Sequence, residues 1–188
     1  MPSVNGVEAL PDGRVLSGGQ DGTVKMWALN GMLERVFDIE DWVTCVAALP
    51  DGVHFVIGLR GHGEDDDEEE VGEIRLYRVD GTLVHAFTAH PLRVSALAVT
   101  LDGQHKNTFK LHTHEVFALA ALPDNRHALS AGDDTAKLFN VNDGAVLRNF
   151  THHNLLGACM ALMPDGLRFV SGSGDLTARI IYHGLAPQ

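Results

Sequence analysis

The chain of 188 residues has only two cysteines, Cys45 and Cys159, and each lies inside an apolar stretch. This density is too low for a disulfide framework, and we expect two buried thiols. No run of eighteen apolar residues occurs, which argues against a membrane-spanning helix and predicts no membrane partner. The N-terminal residues have neither the basic nor the apolar segment of a secretory signal, so we expect a cytoplasmic, intracellular location.

Basic residues are also scarce. Lys and Arg number 14 against 25 Asp and Glu, which gives a formal net charge of -11 at pH 7. Binding to nucleic-acid phosphates needs a Lys/Arg footprint, so we predict no nucleic-acid partner. Seven consecutive acids, residues 64–70, could offer oxygens to calcium, but they lack the spaced glycine and alternating ligands of a defined calcium loop. We interpret them as a solvated hairpin loop able to attract a basic protein surface.

Glycine is abundant, with 20 residues, and four of these glycines belong to a repeated turn. The turn sequences are LPDG at 10–13, LPDG at 49–52, LDG at 101–103, LPDN at 122–125 and MPDG at 163–166. Proline presets φ, aspartate caps the backbone, and glycine or asparagine accepts a positive φ. Because each turn follows an apolar run, the sequence predicts a strand and a tight turn five times over.

Three further strands follow the turn in the more complete copies. The second-strand sequences are RVLSGG, HFVIGL, HALSAG and RFVSGS. Third strands (TVKMWAL, EIRLYRV, TAKLFNV, TARIIYH) and fourth strands (LERVFD, LVHAFT, VLRNFT) alternate apolar with polar or small residues, as half-buried strands do. Four short antiparallel strands with a period of about forty residues predict the blade of a β-propeller, which must stack on other blades to bury its faces.

These residues resemble the WD-repeat β-propeller family over essentially the whole chain, most strongly in SGGQDGTVKMW and SGSGDLTARII. The resemblance implies one all-β propeller domain, 1–188, that is incomplete or small. Its copies are at about 1–38, 39–89, 90–111 (degenerate, truncated), 112–151 and 152–188. The resemblance also implies a buried hydrogen-bond network of histidine, aspartate, strand hydroxyl and tryptophan within a blade. The matching residues are His90, His112, His153, Asp21, Asp133, Asp175, Ser130, Ser171 and Trp27.

The sequence also departs from the family pattern. Tyr77, Phe139 and Ile181 stand where the family has tryptophan, and Ile39 stands where it has histidine. The second blade, which also lacks the turn aspartate, is therefore expected to hold by packing alone.

The third copy lacks its second and third strands, because LDGQH runs directly into KNTFKLHTH. Two interpretations stay open: an internal deletion, splice form or gene-model fault, or a native degenerate blade. Under either interpretation, residues 94–101 and 106–111 are expected to pair as a two-stranded hairpin supported by its neighbours.

The sequence predicts neither a metal site nor a cofactor, and no enzymatic activity. The histidine pairs at 112/114 and 152/153 suggest zinc, but zinc requires ligands that converge from different elements, and two of these histidines match the family's structural position. The triplets SGG, SAG and SGS resemble nucleophile loops, yet their recurrence indicates architecture. An enzyme with a site in the central channel is the remote alternative.

The resemblance implies a scaffold that binds other proteins through the loops between blades. The partner-contact candidates are Trp42, Arg93, His114 and Asn154. The alternative is a permanently bound subunit, or a substrate-receptor piece, of a larger complex. The strand count leaves open blade edges, so we also expect self-association or completion by another chain.

Overall fold

The computed structural model describes residues 2–60, 72–90, 94–100, 111–112, 115–132, 135–151, 153 and 157–185. Within these ranges the regular secondary structure is β-strand, which confirms the all-β prediction. The strands form four antiparallel sheets, blades 1 to 4, each with its strands in chain order as in a β-propeller blade. Nothing in the described ranges forms a helix long and apolar enough to cross a membrane.

The blades fall into two compact units, Met1–Leu97 and Ala98–Gln188. Blade 1, in unit 1, consists of β1 (Val4–Ala9), β2 (Val15–Gly19), β3 (Thr23–Trp27) and β4 (Leu33–Asp38). Blade 2 consists of β5 (Val43–Ala48), β6 (His54–Leu59), β7 (Gly72–Arg78) and β8 (Leu83–His90). The single domain over 1–188 stays a prediction.

In unit 2, blade 3 has four strands and blade 4 has three. Blade 3 consists of β9 (Ala118–Ala121), β10 (His127–Ala131), β11 (Ala136–Asn140) and β12 (Val146–Phe150). Blade 4 consists of β13 (Gly157–Leu162), β14 (Arg168–Ser173) and β15 (Ala178–Tyr182).

The repeated turn joins the first and second strands of every blade. Gly13, Gly52 and Gly166 have φ values of 90°, 67° and 64°, and Asn125 has φ of 56°. A positive φ is inexpensive for glycine and tolerated by asparagine, which explains these two residue types at the fourth turn position. The turn chemistry predicted from the sequence is confirmed.

Within unit 1, the two blades pack through opposite faces. Directly paired residues lie on the same side of a sheet, so the strand register assigns each residue of a blade to one of two faces. Face B is the side of blade 1 that carries Leu16, face A is the side of blade 2 that carries Val46, and the other blades are named by matching register positions. Buried residues of face B in blade 1 are Leu16, Val24, Met26 and Phe37. Those of face A in blade 2 are Val46, Phe55, Ile57 and Tyr77. All eight belong to one apolar core, so face A of blade 2 packs on face B of blade 1.

Unit 2 repeats this packing. Face B of blade 3 contributes Leu129, Ala131, Ala136, Leu138 and Phe150. Face A of blade 4 contributes Met160, Leu162, Phe169 and Ile181. A phenylalanine pair marks both contacts: Phe37 and Phe55 have ring centroids 5.1 Å apart, and Phe150 and Phe169 5.2 Å apart, each edge to face. Edge-to-face contacts add to the stabilisation from buried area.

The predicted hairpin of the third copy is wrong for residues 94–100, which form no strand. Val94 instead lies against blade 2 and is 3% exposed. Its N–H donates to Leu59 O at 3.2 Å, and its carbonyl accepts from Thr44 Oγ1. Without second and third strands in its own copy, Val94 satisfies its backbone groups on the neighbouring blade. Residues 101–110 lie outside the described ranges.

The two thiols have different surroundings. Cys45 is half-buried, and burial raises the pKa of its thiol to about 11, so it stays protonated at neutral pH. Cys159 is exposed, so the expectation of two buried thiols is wrong at this position. The reason is its place on face B of blade 4, against which no blade of unit 2 packs.

Candidate functional site

Blade 4 brings together three of the predicted network residues. His153 Nδ1 lies 3.0 Å from Asp175 Oδ2, and His153 Nε2 lies 2.9 Å from Ser171 Oγ. The side chains of His153 and Asp175 are 4% and 10% exposed. Asp175 Oδ1 also accepts from the N–H and the hydroxyl of Thr177, at 3.0 and 2.6 Å. The buried imidazole of His153 has a partner at each ring nitrogen, and the Asp175 carboxylate accepts hydrogen bonds from several donors. These hydrogen bonds offset the cost of burying both groups.

This order of contacts matches the arrangement of a catalytic Ser-His-Asp triad. The carboxylate is on Nδ1 and the hydroxyl on Nε2, as in hydrolases. A nucleophile must be reached by its substrate, however, and Ser171 is 2% exposed. Its face of blade 4 packs on blade 3 through Phe169 of β14 and Met160 of β13. We therefore interpret the trio as a structural network.

Blade 3 repeats part of the arrangement. His112 Nε2 lies 2.8 Å from Ser130 Oγ, and Ser130 is 1% exposed. Gly132 is needed beside it, because a Cβ there would lie 2.9 Å from His112 Cγ. Asp133, predicted as the third member, lies outside the described residues.

Blade 1 contains a tryptophan–serine contact and an aspartate turn at the matching positions. Trp27 Nε1 donates to Ser17 Oγ at 2.8 Å. Asp21 Oδ1 accepts from the Thr23 hydroxyl at 2.8 Å, and Asp21 Oδ2 from Lys25 Nζ at 2.7 Å. These hydrogen bonds, from Lys25 and then Thr23, hold the pKa of Asp21 below its usual value. Sequence reasoning missed Ser17, although it occupies the same triplet position as Ser130 and Ser171.

Blade 2 replaces the histidine and the hydroxyl together. Ile39 and Ile57 have the same spacing of 18 residues as the His112–Ser130 and His153–Ser171 pairs. They are 2% and 0% exposed and lie in the unit 1 core. Replacing both partners of a hydrogen bond by apolar groups leaves no polar atom unsatisfied. His90, the remaining predicted histidine, ends β8, and its side chain lies outside the described part of the chain.

Of the four predicted partner-contact residues, Trp42 is described, while Arg93, His114 and Asn154 lie outside the described ranges. Trp42 lies in the connection between β4 and β5 and is 40% exposed. The Arg60 guanidinium sits 4.6 Å from the centroid of its ring, and Arg60 N donates to Trp42 O at 3.1 Å. The N–H of Trp42 donates to Asp41 Oδ1 at 2.6 Å, and Asp41 is buried. Sequence reasoning missed Arg60, since its contact depends on two connections meeting at one end of unit 1.

The opposite end of each blade carries a repeated carboxylate–base pair in the turn. The pairs are Asp12–Arg14 (2.7 Å), Asp51–His54 (2.6 Å), Asp124–His127 (2.6 Å) and Asp165–Arg168 (2.6 Å). The pKa of each aspartate is lowered. Hydrogen bonds from Arg14 are the main cause of the lowered pKa at Asp12. At Asp165 the largest cause is the hydrogen bond from the backbone N–H of Leu167. At Asp51 and Asp124, burial raises the pKa, but hydrogen bonds from histidine and backbone outweigh it.

These turns predict a loss of stability in acid. A carboxyl whose pKa is lower in the folded state stabilises the fold above its unfolded pKa, and this stability is lost as pH falls through the folded value. Asp124 is the least exposed of the four, with 11% of its side chain accessible. We expect Asp124→Asn to lower the Tm at pH 6, and the gap to wild type to narrow as pH falls below about 3.9, the usual aspartate pKa. A gap of equal size at both pH values would contradict this assignment.

Comparison with known families adds one finding. A family model described as WD domain, G-beta repeat matches residues 2–28, 103–140 and 144–181, which together make up more than half of the chain. These three regions contain the Trp27, Ser130 and Ser171 positions. They do not include blade 2, where isoleucines replace the histidine and the hydroxyl, although its four strands have the same order. Within the described ranges, no three His, Cys, Asp or Glu side chains cluster as metal ligands would.

Proposed function

We propose, because this chain belongs to the WD-repeat family, that it is a non-enzymatic scaffold presenting its interblade connections to other proteins. Propellers of this family generally serve as protein-interaction scaffolds. Rigid blades hold loops in place, and residues on such loops are free to specialise for binding. A cytoplasmic location is part of the proposal, and the two free cysteines favour a reducing compartment.

The observation that carries this proposal is the Trp42–Arg60 pair. Tryptophan and arginine are the residue types most enriched among those that dominate binding energy at protein interfaces. Here Trp42 is 40% exposed while its backbone is held by hydrogen bonds to Asp41 and Arg60. A pre-positioned aromatic side chain loses little conformational entropy on binding. Residues 64–70, which follow Arg60 closely in the sequence, add negative charge that favours a basic partner.

A second role is a permanently bound subunit of a larger complex. Exposed apolar side chains on blades 1 and 4 favour it, among them Val7 (63% exposed) and Ile180 (60% exposed). Exposed apolar patches on soluble proteins mark interaction sites. Self-association is the simplest form of such a contact.

Replacing Trp42 tests the scaffold role. We expect Trp42→Ala to weaken binding of the main partner at least about 30-fold, as loss of an interface anchor worth about 2 kcal/mol does. Partners are first captured by the wild-type chain, identified by mass spectrometry and purified, and their Kd is then measured for each variant. Leu29→Ala is the matched control, because Leu29 is 85% exposed in the turn between β3 and β4, at the opposite end of the blade. Equal Kd values for Trp42→Ala and wild type would overturn the proposal for this surface.

A further inference from the structure

Face A of blade 1 is an uncovered version of a surface that is buried in blade 2. Register places Val7, Val15 and Trp27 at the positions of Val46, Phe55 and Tyr77. The blade 2 residues pack on blade 1 and are 7%, 0% and 8% exposed. Val7, by contrast, is 63% exposed. Ala9, also on this face, is exposed, whereas Ala48 at the matching position of blade 2 packs against the core.

Face B of blade 4 is the complementary uncovered surface. Ile180 occupies the register position of Met26 in blade 1 and Leu138 in blade 3. Those two residues are covered by the following blade and are 4% and 1% exposed, whereas Ile180 is 60% exposed. Ala161 and Ala178, on the same face, are exposed as well.

Two glycines show the same difference. A Cβ added to Gly18, on face B of blade 1, would lie 2.5 Å from Val43 Cγ1 and 2.8 Å from Val46 Cγ2 of blade 2. At Gly172, the matching position of blade 4, the added Cβ would meet, among the described residues, only Cys159 Sγ of its own blade. Gly172 thus leaves room for the first strand of a following blade.

The two uncovered faces also lack the same feature. At both stacked contacts a phenylalanine of a fourth strand meets a phenylalanine of the next blade's second strand. Blade 1 has Val15 at the second-strand position, and within the described residues blade 4 has no fourth strand to supply the other ring. Among the described residues, face A of blade 1 lacks the second-strand phenylalanine, and face B of blade 4 lacks the fourth-strand phenylalanine. A contact between these two faces therefore leaves no phenylalanine without a partner ring.

We propose that face A of blade 1 in one copy of this chain packs on face B of blade 4 in a second copy, head to tail. The structure contains this A-on-B contact twice, in unit 1 and in unit 2, and among the described residues Val7 on face A of blade 1 and Ile180 on face B of blade 4 are exposed. Because the two surfaces differ, the contact is heterologous, and it closes a ring or extends a chain of copies according to its rotation. The inference rests on the proposed role in protein–protein contact and names a second copy as the partner.

Light scattering after size-exclusion chromatography gives the first test. We expect a species of at least twice the chain mass of 20.3 kDa. Val7→Lys with Ala9→Lys should abolish it by charging face A, and Ala161→Lys with Ile180→Lys should abolish it by charging face B. All four positions are exposed, so folding should survive, which far-UV circular dichroism checks. Leu29→Lys, in an exposed turn outside both faces, should associate as wild type does.

Mixing the two double variants is the decisive step. The face A variant keeps an intact face B, and the face B variant keeps an intact face A. An equimolar mixture should therefore form a dimer through one intact contact, although each variant alone is a monomer. A chain carrying all four substitutions should not associate with either variant.

Several results would overturn the head-to-tail contact: a monomeric wild type, a face B variant that still dimerises alone through face A, or a mixture that stays monomeric. The Trp42 surface can be judged separately. If partner binding depends on Trp42 and persists in the monomeric variants, the scaffold role is supported. The mixing experiment alone then decides whether the chain self-associates.

Discussion

Phe55→Ala is expected to lower the free energy of unfolding of unit 1 by about 3–5 kcal/mol, the usual cost of removing a buried phenylalanine ring. Phe55 is 0% exposed and lies at the centre of the blade contact. Its ring meets Phe37 edge to face at 5.1 Å and stacks on Tyr77 at 5.7 Å. The substitution leaves a cavity between two sheets that cannot collapse without moving both.

Urea denaturation followed by tryptophan fluorescence measures this loss selectively, because both tryptophans of the chain, Trp27 and Trp42, belong to unit 1. Val15→Ala is the matched control: Val15 has the same register position in blade 1 and is only half-buried. We expect it to cost about 1 kcal/mol or less. If the two variants lost similar stability, the contact between blades 1 and 2 would not be the main source of the stability of unit 1.

The fold was predictable because its signals are local and repeated. The Leu-Pro-Asp-Gly turn fixes where each first strand ends, and strand alternation fixes which residues turn inward. Blade 2 shows that the backbone pattern is sufficient, since it forms its four strands with Ile39 and Ile57 in place of the polar pair. Residues 94–100 were mispredicted because a strand needs a partner strand, and local sequence does not say which backbone groups lie within reach.

The contacts of the site were predictable in kind and less so in detail. The spacing of 18 residues relates His112 to Ser130 and His153 to Ser171, so a family pattern can locate both pairs. Arg60 on Trp42 has no such spacing, because the contact arises where separate connections meet. The exposure of Cys159 likewise depends on whether another blade covers its face, and no property of the apolar stretch around it determines that.

The second large effect is expected from His153→Ala, which we predict lowers the free energy of unfolding of unit 2 by about 3 kcal/mol. The substitution removes a donor from the buried Asp175 carboxylate and the ring partner of Ser171 Oγ at once. Leaving a buried charge with fewer donors costs far more than the net value of the original bond. Urea denaturation followed by far-UV circular dichroism measures the loss.

His54→Ala is the control that separates burial from hydrogen-bond length. His54 Nδ1 lies 2.6 Å from Asp51 Oδ2, closer than His153 is to Asp175, but the two side chains are 25% and 45% exposed. Water can replace the lost partner there, so we expect a cost of about 1 kcal/mol or less. The longer, buried contact should therefore matter more than the shorter, exposed one. The reverse order of the two costs would show that the His153–Asp175–Ser171 network does not stabilise blade 4, and its triad-like geometry would then need a role other than a structural one.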